Sequence, residues 1–209
     1  MRFTYQELNR VHSHSETDLF TKDRYRQFHR FFPRHVESIL DLGCNTGRGG
    51  RALKEVDRGL HIWGLDCLQD RLERVPPGVY EGTFCSGADD IPVKDGSFDV
   101  VVAGEFIEHL YSIDVDRALA ETFRVLKIGG RLLLTTPNPR YLRRRLSRYT
   151  VLGGAHVSQH YHEVVRLRLK MAGYSRIRIY GSGKVTRYLG YRVPILSLYG
   201  SYLVIGDKW

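Results

Sequence analysis

Several features that would assign a chain quickly are missing from this sequence, and each absence excludes a class. No run of about 18 uncharged apolar residues occurs along its 209 residues, so a membrane-spanning helix is not expected. The opening stretch MRFTYQELNRVHSHSE is polar and has no apolar core, so no secretory leader is expected. Cysteine is scarce: Cys44, Cys67 and Cys85 form no C-x-x-C pair, and an odd count without a leader predicts reduced thiols in a cytoplasmic setting. There is no internal repeat and no low-complexity tract. A G-x-G-x-x-G phosphate fingerprint is also missing, which argues against a nicotinamide dehydrogenase.

What is present is an ordinary globular composition with a basic excess. Hydrophobic residues make up 42% and charged residues 26%, enough for a packed core of one domain. The formal net charge is +9, which favours acidic partners such as phosphates, nucleic acid or anionic membrane surfaces. Arg140, Arg143, Arg144, Arg145 and Arg148 crowd one segment, and Arg166, Arg168 and Lys170 form a second group. The stretch 188–206 is apolar and rich in tyrosine, but Pro194 and Gly200-Ser201 divide it. It reads as a loop or lid followed by a buried strand, with an interfacial surface for a lipid or a partner as the alternative.

Strand-like and helix-like segments alternate. A leading helix is expected over 17–32, stopped by Pro33. Strands are expected over 37–43, 61–66, 79–85, 97–104, 131–138, 176–182 and 201–209. Helices are expected over 48–56, 67–75, 114–127 and 158–172. This alternation predicts an α/β, Rossmann-like, mostly parallel seven-stranded sheet with helices on both faces. No helix separates the last two strands, so they are expected to pair antiparallel at the sheet edge. Ligands of such a sheet lie at the carboxyl ends of its strands.

Two motifs fall at that edge. In ILDLGCNTGRGG (39–50) a buried strand delivers Asp41, and the chain turns through Gly43, Asn45 and Gly47 into a helix. Gly43 lets backbone approach a ligand, and asparagine tolerates the positive φ such a turn needs. An acid at the loop entry would repel a pyrophosphate and attract a cationic amino group. In GLD (64–66), Asp66 closes the second strand, where a carboxylate can accept both hydroxyls of a ribose.

With CSGADDIPVKDGSFDVVVAGEFIEHL (85–110) and RVLKIGGRLLLTTPNP (124–139), these motifs resemble the class I S-adenosylmethionine-dependent methyltransferases, nearest the small-molecule, ubiquinone-biosynthesis-like group. The resemblance covers roughly 37–138. It implies S-adenosylmethionine as cofactor, held around the methionine moiety by the loop of Asp41, Gly43, Cys44, Asn45 and Gly47. It places Asp66 on the ribose and the Cys67 backbone beside the adenine. The Asp-Ala pair of the family aligns with Gly87-Ala88, so Ala88 offers a backbone N–H and Asp89 is the substitute for the lost carboxylate. Gly104 and Glu105 would border cofactor and acceptor. Arg24 and Tyr25 would close over the methionine carboxylate. One domain over 1–209 is expected, with a helical cap (1–36), a cofactor-binding core (37–138) and acceptor-side elements (139–209).

Methyl transfer from a sulfonium is an in-line displacement, so the protein mainly positions the pair. An oxygen acceptor also benefits from a general base. The candidates are His109, His156, His160 and His162, with Glu105 as a further acceptor contact. The H-x-x-x-H spacing of His156 and His160 admits a metal, but no third ligand is evident, so none is expected. The arginines after the fifth strand favour an anionic or phosphorylated small molecule. The acceptor read from them is a sugar, glycan or lipid-linked intermediate methylated on oxygen. An RNA methyltransferase is the rival that the charge supports, without any RNA-binding motif. A non-catalytic binding domain is the second rival.

Overall fold

The computed structural model describes residues 4–10 and 19–209. Part of the leading segment, 17–18, therefore lies outside the described residues. Two N-terminal helices, α1 (Tyr5–Arg10) and α2 (Thr21–His29), precede the alternating core. The core runs β1 (Ser38–Leu42), α3 (Arg48–Val56), β2 (His61–Asp66), α4 (Gln69–Leu72), β3 (Gly82–Cys85) and β4 (Phe98–Gly104). It continues with α5 (Ser112–Val125), β5 (Leu126–Pro137), α6 (Leu142–Leu146), α7 (His162–Met171), β6 (Ser175–Ser182), α8 (Thr186–Leu189) and β7 (Ser201–Asp207).

The strands form a seven-stranded sheet in the order β3-β2-β1-β4-β5-β7-β6. The first five strands pair in parallel, and β7 is antiparallel to both neighbours. The last two strands pair antiparallel at the sheet edge, as expected; β6 is outermost, and β7 lies between it and β5, registered against β5 from Arg131↔Asp207 to Pro137↔Ser201. The β7 sequence explains this: Leu203, Val204 and Ile205 are all fully buried, as a strand covered on both faces requires.

Alternate residues of each strand feed two cores. Leu40, Val101, Leu132, Leu134 and Val204 pack under α5 and α7, through Val115, Leu119, Val165 and Leu169. Ile39, Val100, Val102, Leu133 and Leu203 pack under α2 and α3, through Tyr25, Phe28, Ala52 and Leu53. Helices thus cover both faces, and the loops at the strand carboxyl ends are left to line a cleft.

Some boundaries differ from the expectation. The helix expected over 158–172 begins at His162, so His156 and His160 lie in the loop before it rather than on one helical face. The helix expected over 67–75 shrinks to Gln69–Leu72, because Pro76-Pro77 follow and Leu68 is extended at its start. β3 starts at Gly82 rather than 79.

Candidate active site

A cleft of about 810 Å³ runs along the carboxyl edge of the sheet. Its lining follows the strand order. Cys67, Ser86 and Ala88 stand at one end, Gly43, Asn45, Gly104 and Glu105 in the middle, and Tyr141, Arg144, Lys184 and Ser201 at the other.

At the first end, Asp66 closes β2 and is nearly buried. Its Oδ2 accepts the Asn45 backbone N–H at 2.9 Å and its Oδ1 accepts that of Leu68 at 3.0 Å. Burial raises its pKa, while Arg71, 3.9 Å away, pulls the other way. The Gly87 turn carries a second acid. A Cβ on Gly87 would overlap the Asp89 carboxylate, so Asp89 occupies the volume that a side chain at 87 would fill. α1 crosses this end: Gln6 donates to the Cys67 carbonyl at 3.4 Å, and Arg71 donates to the Asn9 carbonyl at 2.8 Å.

In the middle, the β1–α3 loop turns as its residues require. Gly43, Asn45 and Gly47 have φ of +73°, +51° and +81°. A Cβ on Gly43 would lie 2.5 Å from Phe106 Cδ2, so only glycine allows the bare backbone to sit beside that ring. Glu105 also has a positive φ, +51°, a conformation that non-glycine residues keep mainly where a site demands it. Its Oε2 accepts the Ser201 hydroxyl at 3.0 Å, and its Oε1 faces Arg24 Nε at 3.6 Å.

Two expected cofactor residues are not at the cleft surface. Asp41 is fully buried, with its oxygens taken by the Tyr25 and Tyr80 hydroxyls at 2.6 Å each. Those rings reach it because residues 49 and 50 are glycines, whose Cβ atoms would overlap Tyr25 and Tyr80. Burial raises the Asp41 carboxyl to about 6. It therefore braces the loop from beneath and does not meet a ligand amino group directly. Gly47 packs against Val75, Val79 and Tyr80 and acts through the turn alone.

On the acceptor side, His109 and His156 meet edge to face with ring centroids 4.8 Å apart, and both line the cleft. His156 Nδ1 lies 3.0 Å from the Val151 carbonyl and His109 Nδ1 lies 3.2 Å from that of Ala155. A carbonyl only accepts, so each ring carries its proton on Nδ1 when neutral. Glu108, fully buried beneath them, accepts the Thr136 hydroxyl at 2.9 Å, and burial and the charge of Glu105 hold its carboxyl well above the usual range. Glu108, His109 and His156 bring ligand atoms within 4.8 Å of one another, a different trio from the His156–His160 pair that spacing offered.

His160 departs from the expectation. It is buried away from the cleft, with Nε2 2.7 Å from the Ser158 hydroxyl and 3.1 Å from the Ile107 carbonyl. Burial lowers its pKa to about 4. It is a neutral loop anchor. Tyr5, Phe106, Tyr141 and Lys184 line the cleft without having been expected there. Phe106 follows Glu105 within the 85–110 motif; no motif marks Tyr5, Tyr141 and Lys184, which reach the edge through a loop or a distant helix.

The parallel sheet with an inserted antiparallel last strand, and a cleft with an acid closing β2, define a class I methyltransferase fold. Residues 40–134 match the family model described as a methyltransferase domain. It is 34% identical over 131 residues to the demethylmenaquinone methyltransferase of Thermotoga maritima, covering 62% of this chain and 55% of that protein. The chain thus spans little more than half of that relative's length. A methyltransferase from Archaeoglobus fulgidus superposes with a TM-score of 0.70 at 21% identity, covering 90% of this chain and 92% of that one. An N-methyltransferase of Haemonchus contortus, in complex with phosphomonomethylethanolamine and S-adenosylhomocysteine, superposes with a TM-score of 0.66 at 16% identity, over 89% and 52%.

The residues at the nucleoside end fit that cofactor. A backbone-fixed carboxylate closes β2, a second acid fills the space beside Gly87, and the bare backbone of Gly43 lies at the cleft wall.

Proposed function

We propose that this chain is a methyltransferase that methylates an oxygen of an anionic small molecule: a sugar, a glycan or a lipid-linked intermediate. The observation that carries this reading is the continuity of the cleft, from the acid at the end of β2 to the cationic wall of Arg144 and Lys184.

When bound, S-adenosylmethionine supplies an electrophilic methyl carbon on a sulfonium sulfur. Asp66 would accept the ribose hydroxyls, the Ala88 N–H and Asp89 carboxylate would meet the adenine edge, and Asn45 and Gly104 would flank the methionine chain. Arg24, buried beside Glu105, would pair with the methionine carboxylate. Glu105, bonded to the Ser201 hydroxyl, would contact acceptor and cofactor alike.

His156 is the base we favour for an acceptor hydroxyl. Its Nδ1–H is committed to the Val151 carbonyl, so the neutral ring presents its Nε2 lone pair as proton acceptor. His109 packs against it and fixes its plane. Arg144 and Lys184 would hold the acceptor's phosphate or carboxylate while the hydroxyl sits near His156.

The test is a labelled-methyl assay across nucleotide sugars, lipid-linked sugars, quinone precursors and total RNA. Turnover is expected on phosphorylated sugar acceptors. Activity on RNA alone would sink this choice of acceptor, and failure to bind S-adenosylhomocysteine would sink the whole reading.

A further inference from the structure

Between Glu121 and Glu163 the chain contains no Asp or Glu. Within that span, α6 and the loop after it leave three apolar side chains largely in solvent: Leu142, Leu146 and Tyr149 are 47%, 77% and 77% exposed. Leu142 and Leu146 are four apart, so they share one side of the short helix. Arg143, Arg145 and Arg148 stand exposed among them, and no ion pair with a described carboxylate holds them. Ile195, 55% exposed, lies just before the turn Leu196–Leu198 that packs beside α6.

Leucine and tyrosine exposed on this scale are unusual for a surface in contact only with water. Unpaired arginines interleaved with them exclude an apolar protein partner, which would have to desolvate those charges. A nucleic-acid strand would satisfy the arginines but leave two leucines facing its phosphates. A bilayer interface satisfies both, because aliphatic side chains enter the acyl boundary while guanidinium groups meet anionic headgroups. The position has a consequence for the site, since Tyr141 and Arg144, on the same segment, line the cleft.

We propose that residues 142–149 form an interfacial docking element that seats the mouth of the cleft on an anionic lipid surface. Docking of this kind does not depend on which acceptor is methylated, and it is tested without turnover.

The experiment is co-sedimentation of the full chain with phosphatidylglycerol–phosphatidylcholine vesicles and with pure phosphatidylcholine vesicles. Two variants accompany it: Leu146→Glu, and the triple change Arg143→Glu, Arg145→Glu, Arg148→Glu. Thermal stabilisation by S-adenosylhomocysteine checks that both variants fold. Binding is expected to anionic vesicles only. Leu146→Glu should weaken it about tenfold, and each reversed arginine roughly fivefold. Three outcomes overturn the proposal: no sedimentation with anionic vesicles at low salt, equal binding to both vesicle types, or an unchanged affinity for Leu146→Glu. Binding to total RNA in preference to anionic vesicles also overturns it, and assigns the segment to nucleic acid.

Discussion

The Tyr25 hydroxyl donates to Asp41 Oδ1 at 2.6 Å, and it reaches that carboxylate only because residue 49 is glycine. Tyr80 makes the mirror contact on Oδ2 across Gly50. The β1–α3 loop is thus held from below by an acid and two phenols, one of which, Tyr25, also lines the cleft. Gly49→Ala should push the Tyr25 ring out of place at a cost of about 1–3 kcal/mol, lowering Tm by roughly 2–12 °C in a chain of this size. Differential scanning calorimetry of that variant beside Tyr25→Phe reads the effect. An unchanged Tm in both would remove the brace from the account.

Asp66 is expected to carry much of the nucleoside affinity. Asp66→Ala should raise the Kd for S-adenosylhomocysteine about 10- to 100-fold, as the loss of a charge-assisted pair of hydrogen bonds implies. Isothermal titration calorimetry measures this directly. A Kd within twofold of the parent protein's contradicts the ribose assignment.

Asp89 has a more selective signature. If its carboxylate receives the adenine amino group, the protein should prefer S-adenosylhomocysteine over the inosine analogue by about tenfold. Asp89→Ala should erase that preference rather than merely weaken both ligands. Competition binding with the two nucleosides separates the cases.

The histidines divide by location. His156→Ala should cut the turnover number by about 10²- to 10⁴-fold while leaving S-adenosylhomocysteine affinity unchanged. His160→Gln, away from the cleft, should lower Tm with a far smaller effect on turnover. If His160→Gln proves the more damaging to turnover, the base has been misassigned.

Two buried groups give opposing pH slopes. The native His160 pKa is lowered to about 4, so its contribution is whole above the unfolded value and is lost as pH falls from about 6.5 toward 4. The native Asp41 pKa is raised to about 6, so its contribution is whole below about 3.9 and is lost as pH rises through 6. In the parent protein the two slopes offset each other over much of this window. His160→Gln should expose the falling slope and Asp41→Asn the rising one, in melting curves taken from about pH 4.5 to 7.5.

Much of this arrangement is written locally in the chain. The turn at 43–47 and the acid at 66 are legible because glycine, asparagine and a strand-end aspartate each solve a problem set by their immediate neighbours. Helix α3 and strand β2 fall on their expected residues for the same reason. Asp41 misleads because its surroundings come from Tyr25 and Tyr80, 16 and 39 positions away, and local sequence does not reveal that its charge is capped. His156 and His160 look equivalent by spacing. Only the fold of the 150–160 loop turns one ring toward the cleft and ties the other to Ile107 and Ser158. The internal place of β7 is likewise a matter of register between segments about 70 residues apart, which no local pattern encodes.

That inserted strand has a kinetic corollary. β1 to β5 precede β6 and β7 in sequence and make up five of the seven strands, so that part of the sheet can assemble before β7 is in place. β7 must slot between two neighbours and completes the wall that Ser201 gives to the acceptor side. The nucleoside half should therefore consolidate first and open last. In hydrogen exchange, the amides of 201–207 are expected to lose protection ahead of those of 38–42, so the last segment to lock in is the one that shapes the chamber for the methyl recipient.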